Sequence, residues 1–372
     1  MRPEITDRYY RVYAGLPVDR VPDIEFGYWP QTIRRWLKEG MPVELTREEQ
    51  NQMFLGKLDR FFGFEGEGTG IGLRTHMHPV FAHEVLEHRG PITVIRDSSG
   101  TVAERYGNEV DESSIPRYLR FPVETPADWV EMKKRFRFDD PEREIPAADC
   151  ERVRREQATK MVSLWFCGFY GQLRGWMGME NLSTAFYDYP AMVHDMVEHW
   201  AELCARQLER LPPDLKIDHV SWWEDMASKN GPLVSPKQFR EFLQPGYHRV
   251  MSAARARGCE LAIVDCDGDP GALVPNWLEE GVNIMFPLEV AAGVDPYAWR
   301  RKYGMELRLR GGIAKTPLVA GGAAIDREFE RLRPLFEQGR FIPHLDHLVP
   351  PDISYRNYCE YLEKKRRFIG KA

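Results

Sequence analysis

The sequence predicts an α/β protein, a (β/α)8 TIM barrel with an N-terminal extension that contains a β-hairpin, and three observations lead there. From about residue 160 onward, short apolar runs alternate with segments whose apolar residues recur at helical spacing. Such alternation implies parallel strands joined by right-handed helical crossovers. Nearly every run is followed at once by polar or glycine residues: Glu224-Asp225, residues 265–269 (DCDGD), Glu289, Gly311-Gly312 with Lys315, and Asp346-His347. Barrels gather catalytic groups from many strand ends, whereas open doubly wound sheets concentrate them at one crevice. Finally, no GxGxxG follows a strand and no GxxxxGK[ST] occurs, so a nucleotide-phosphate cradle is not supported.

The elements follow in order. Residues 21–29 (VPDIEFGYW) read as a first strand and 31–38 as a helix. After a glycine-rich patch at 63–72, residues 92–107 form two β-patterned runs around Ser-Ser-Gly, which is a hairpin on the outside of the barrel or over its mouth. The Pro- and charge-rich stretch 136–148 reads as a loop. The later strand runs are 161–166, 217–223, 261–264, 282–286, 307–309 and 341–345. Between and after them come helices at 190–211, 236–257, 270–280, 296–302, 327–338 and 354–368. Ser235-Pro236 and Asp295-Pro296 are N-cap and first-turn pairs. We expect residues 1–150 to form the N-terminal part and 151–372 the main body of one barrel.

Composition bounds the partners. With a net charge of −6, the 372-residue chain has no overall pull on phosphate backbones, so nucleic acid is not expected. No apolar span suits a signal peptide or a membrane helix, which makes a cytoplasmic location the expectation. Six cysteines without a CxxC pair argue against a disulfide framework or a structural zinc finger.

The most specific local feature is DCDGD at 265–269. Close carboxylates raise one another's proton affinity, which suits general acid–base chemistry or a divalent cation. In extended backbone Asp265 and Asp267 share a face and Cys266 takes the other; Asp267-Gly268 and Asp269-Pro270 also suit a turn and a helix cap. Glu224 follows the aromatic run HVSWW, and Glu289 could face it across the barrel. His347 follows the last strand, where an imidazole can serve as proton donor or ligand. Asp346 points the other way. Tyr170 and Arg174, in the loop 167–178 (CGFYGQLRGWMG), are candidate contacts for an aromatic or carboxylated substrate, and Trp223, Glu289 and Lys315 join them. His76 and His78 in THMHP would share a face if extended, although no third ligand is fixed by spacing.

Four segments together resemble the uroporphyrinogen decarboxylase superfamily, which also contains corrinoid-dependent methyltransferases. They are 233–250 (LVSPKQFREFLQPGYHRV), 265–289 (DCDGDPGALVPNWLEEGVNIMFPLE), 309–318 (LRGGIAKTPL) and 346–362 (DHLVPPDISYRNYCEYL), and the resemblance covers roughly residues 160–368. It implies a barrel with its mouth facing a substrate cleft, and a homodimer. His347 and Ser235 match residues of the decarboxylases, and Tyr170 corresponds to their tyrosine. Their Arg-rich segment after the first strand is replaced here by EFGYWPQTIRRW. The methyltransferase branch holds zinc through His-x-Cys-Gly and a later Cys. Here those places read Asp265-Cys266-Asp267-Gly268 and Asp346-His347, which implies oxygen and imidazole ligands for a harder divalent cation from Glu224, Asp265, Asp267 and His347. The expected activity is methyl or one-carbon transfer, or O-demethylation, on a small molecule. Asp267 and Glu224 would act as ligand or base and His347 as acid or ligand; a corrinoid would come only with a separate partner protein. Decarboxylation of a porphyrinogen or a smaller acid is the alternative, followed by a non-catalytic ligand-binding barrel.

Overall fold

In the computed structural model, which describes residues 2–106 and 116–371, the apolar runs become strands and the amphipathic segments helices. In chain order the strands are β1 (Thr69–Gly70), β2 (Glu84–Arg89), β3 (Ile92–Arg96), β4 (Val102–Tyr106), β5 (Arg117–Arg120), β6 (Val162–Cys167), β7 (His219–Trp223), β8 (Ala227–Ser228), β9 (Gly231–Pro232), β10 (Leu261–Asp265), β11 (Ile284–Phe286), β12 (Arg308–Ile313) and β13 (Phe341–Leu345). Seven of them form one parallel sheet in the order β1-β6-β7-β10-β11-β12-β13. The segment 21–29 bonds to both ends of that sheet. Asp23 O accepts from Glu65 N at 2.9 Å, just ahead of β1, while Gly27 O accepts from Val349 N at 2.9 Å, just beyond β13. The sheet is therefore curled, and the fold is TIM-like.

Period-two alternation sorts the strand side chains into two cores. Val220, Trp222, Val264 and Leu309 point outward and pack against the helices. Leu261, Ile263, Ile284, Phe286 and Ile342 point inward, where they meet Tyr9 and Tyr13 of the helix Arg8–Ala14. That helix is capped by Asp7, whose carboxylate accepts from Tyr9 N, and it ends on Gly15 in the left-handed region. Its position is fixed by Thr6 N bonding to Thr159 O ahead of β6, and by Arg308 at the start of β12 donating to Tyr13 O at 2.8 Å. It thus closes the end of the sheet where the strands begin.

The last helix, Tyr355–Ile369, is latched to the segment 21–29 by a fully buried lysine. Lys365 Nζ lies 2.6 Å from Glu25 Oε1 and 3.3 Å from Asp23 Oδ1. A separate antiparallel sheet, β2-β3-β4-β5, contains the pairing of β3 with β4. Asp97 Oδ1 organises their turn by accepting from Ser99 N at 2.9 Å and Thr101 N at 3.1 Å. Gly107, the last residue of the expected hairpin, lies outside the described residues. The stretch 136–148 is partly ordered into short 3-10 turns, and the helix Ala147–Glu156 begins inside it. Among the described residues no helix is long and apolar enough to cross a membrane.

Candidate active site

Strand register delivers the acidic cluster. Trp223 at the end of β7 pairs with Asp265 at the end of β10, and Asp265 pairs with Phe286 of β11. Asp265 continues the inward series of Leu261 and Ile263, and Asp267 follows two residues later. Asp225 joins them because its backbone turns into the left-handed region, at φ 45°, immediately after β7. Ligand-capable oxygens of Asp225, Asp265 and Asp267 lie within 4.8 Å of one another. Burial, then mutual repulsion, raises the proton affinity of Asp225, and the same two causes push Asp265 well above the usual carboxylate range. Asp267 Oδ1 is buried and accepts no hydrogen bond from the described residues, while its Oδ2 lies 3.0 Å from His347 Nε2.

Gly268 makes this turn possible. Its φ is 80°, and a Cβ there would collide with the backbone of Ala227 and Ser228. Its N–H donates to Glu289 Oε2 at 3.0 Å, and Glu289 Oε1 lies 3.5 Å from Lys315 Nζ. Lys315 is 3.8 Å from Asp346 Oδ1. Asp346 itself is buried and accepts from Ala291 N at 3.2 Å; burial pushes its carboxyl up to about 6, with Lys315 opposing the shift. His347 lies on the other side of the strand end, between the edge of Phe26 at 5.7 Å and the face of Trp29 at 6.1 Å.

The cations near the cluster are already engaged. Arg174 donates to Asp225 O at 2.9 Å, contacts Asp225 Oδ2 at 3.3 Å and lies over the Trp223 ring at 4.9 Å. Arg310, inside the curled sheet, pairs with Glu67 at 2.8 Å.

Two expected site residues lie elsewhere. Glu224 is fully buried, and its carboxylate accepts from Phe169 N at 2.9 Å, from Gly171 N at 2.8 Å and from the Tyr247 hydroxyl. It caps the helix Phe169–Met177 rather than reaching the cluster, because a side chain one residue past the inward Trp223 points outward. Gly168 must be glycine there, since a Cβ would overlap that carboxylate. Burial pushes Glu224 up to about 7. Tyr170, expected to touch substrate, is fully buried in the outer core, where its hydroxyl makes no hydrogen bond to the described residues and burial pushes it up to about 12. Asp225 takes the place expected for Glu224, and only its unusual backbone conformation brings it there.

Cys266 points away from the cluster, accepting from Met226 N at 3.4 Å, and burial pushes its thiol well up. His78 pairs with Asp140 at 2.8 Å, and His76 belongs to a different cavity.

Comparison with known proteins agrees with this architecture. A solved structure described as a methyltransferase from Methanosarcina mazei superposes over 97% of each chain with a TM-score of 0.56 at 14% identity, a likeness of fold. A uroporphyrinogen decarboxylase of Maricaulis maris (strain MCS10) is 27% identical over 187 residues, or 49% of this chain and 51% of the relative. The chain thus spans about half the length of that curated relative in the match. The family model for uroporphyrinogen decarboxylase (URO-D) matches residues 102–367. With parallel strand ends, an acidic cluster and most of the sequence inside that match, the chain belongs to the uroporphyrinogen decarboxylase family.

Proposed function

We propose that this chain is an enzyme transferring a methyl or one-carbon group on a small substrate, of the O-demethylase or corrinoid-linked type, in the mouth of a (β/α)8 barrel. The observation that carries the reading is the convergence of Asp225, Asp265 and Asp267, with His347 bonded to the last of them. A thiolate zinc site does not fit, because Cys266 is turned away and its thiol is held protonated by burial. A harder divalent cation does fit. Three carboxylates within 4.8 Å of one another, with burial and repulsion raising the proton affinity of Asp225 and Asp265 and with a buried Asp267 oxygen lacking a hydrogen-bond partner among the described residues, suit oxygen coordination, and His347 offers nitrogen. Asp225, Asp265, Asp267 and His347 would hold the ion, which supplies a Lewis acid for a substrate oxygen when bound.

The protein's own groups orient and exchange protons. Asp267 Oδ2 engages His347 Nε2 and so fixes the ring beside the acidic cluster. Arg174 pins Asp225 and presents Trp223 as an apolar wall. The chain has no DxHxxG motif, so a corrinoid would be brought by a separate protein.

The second reading is decarboxylation, favoured by the Maricaulis maris relative. Against a many-carboxylate substrate stands the charge of the cleft. Arg174, Arg310 and Lys315 each already face a carboxylate, so a polyanion would meet repulsion rather than free cations.

Metal analysis after dialysis against magnesium, manganese or zinc, run beside methyl-transfer assays with methoxylated substrates and corrinoid proteins, tests the proposal. One ion per chain and methyl transfer support it. Loss of carboxyl groups from uroporphyrinogen without methyl transfer would establish the second reading, and ligand binding without turnover would indicate a non-catalytic barrel.

A further inference from the structure

A cavity of about 450 Å3 is bounded by the segment 71–77, the β3–β4 turn, β6 and the helix Phe169–Met177. Its wall includes Trp165, Trp176, Leu73, Met77, His76 and Gln172, and among the described residues no Asp, Glu, Lys or Arg side chain lines it. The volume falls in the range of small-molecule sites, roughly 300–1,000 Å3.

Trp165 is the unusual member. It occupies an inward position of β6, between Ser163 and Cys167, yet it is 59% exposed. Among the described residues no ring or cation stacks on it. A bare indole inside a cleft leaves a large apolar face in water, which is unfavourable unless a ligand covers it. Gln172 adds an amide that makes no side-chain hydrogen bond to the described residues, with two donors and an acceptor to offer. His76 adds an imidazole that burial, then Arg143 and Arg74, bias toward the neutral form.

Register sets the distance to the cluster. Cys167 pairs with Trp223, and Trp223 pairs with Asp265. Two strand spacings of about 4.8 Å place the β6 wall roughly 10 Å from the carboxylates. A ring lying on Trp165 would sit two strands from the acidic cluster, with Trp223 of the intervening strand between them.

We infer that this cavity seats a planar, uncharged aromatic group of one or two rings, stacked on Trp165, with polar ring substituents meeting Gln172 and His76. The identity of the reacting substituent, a methoxy group directed at the cluster, rests on the proposed group transfer; the aromatic seat does not. A polycarboxylate finds no Lys or Arg among the described residues of this wall.

Calorimetric titration of the full chain with 2-methoxyphenol, and with methoxycyclohexane as a non-aromatic counterpart, tests the seat without metal or corrinoid. The expected result is binding of 2-methoxyphenol that weakens about fivefold to tenfold for methoxycyclohexane and by a similar factor in Trp165→Ala. Trp165→Phe, which keeps a ring, should restore most of the affinity. Circular dichroism and metal content should be unchanged in both variants, because Trp165 is exposed and is not one of the proposed ligands. Absence of heat with 2-methoxyphenol, equal affinity for the two probes, or unaltered affinity in Trp165→Ala would overturn the inference. If methyl transfer fails while ring binding persists, only the group-transfer reading falls.

Discussion

His347 Nε2 lies 3.0 Å from Asp267 Oδ2 although 80 residues separate them. The contact exists because β10 and β13 run parallel in one curled sheet and release their following residues at the same end. It ties the imidazole ring to the acidic cluster and makes the pair a unit.

Asp267→Asn should therefore reduce turnover by about 100-fold or more, the usual scale of general acid–base contributions. Because Asp267 is partly exposed, the urea midpoint should stay near that of the parent chain. Steady-state kinetics and chemical unfolding of the same preparation check both halves; parent-like turnover would remove the pair from the mechanism.

Glu224 and Asp225 should behave oppositely despite being neighbours. Glu224→Ala strips acceptors from the buried N–H groups of Phe169 and Gly171, each worth about 1–3 kcal/mol when left unpaired. Unfolding experiments should show that loss. Asp225→Asn should leave stability nearly unchanged and lower the metal content measured by elemental analysis.

His219 is buried on the inner face beside Ser163, and burial holds its imidazole down to about 4. The unfolded chain takes up this proton near pH 6.5 while the folded chain resists until about 4. The unfolded state thus binds more protons in that window, and stability falls as pH drops through it. In His219→Gln this part of the decline should vanish, as read from urea midpoints at a series of pH values. An identical slope in the variant would show that other groups govern it.

Lys365→Met should destabilise by about 3–5 kcal/mol, the cost of leaving a buried partner charge uncompensated. Glu25 and Asp23 would both lose the cation that joins the last helix to the segment 21–29. Denaturant titration measures the loss. Restoring much of the stability by adding Glu25→Gln would confirm the source.

The strand and helix rhythm beyond residue 160 was legible because burial on one or both faces writes a period into the sequence. β13, expected at 341–345, has those limits, whereas β12 runs on to Ile313 through two glycines that carry no apolar signal. The shared face of Asp265 and Asp267 was legible for the same reason. Asp225 was not, since its place depends on a left-handed φ after β7, which alternation cannot reveal. Tyr170 was assigned to substrate from its loop setting, but that loop is a buried helix. The Glu67–Arg310 pair spans 243 positions and leaves no local trace. Trp165 was read as one more apolar residue of a strand, and its exposure emerges only from the curvature of the sheet.

The helix Arg8–Ala14 acts as a stopper, with Tyr9 and Tyr13 wedged among Leu261, Ile263 and Ile342. The acidic cluster lies at the other end, where the parallel strands finish. A substrate of the proposed reaction would approach, and its product depart, from that end.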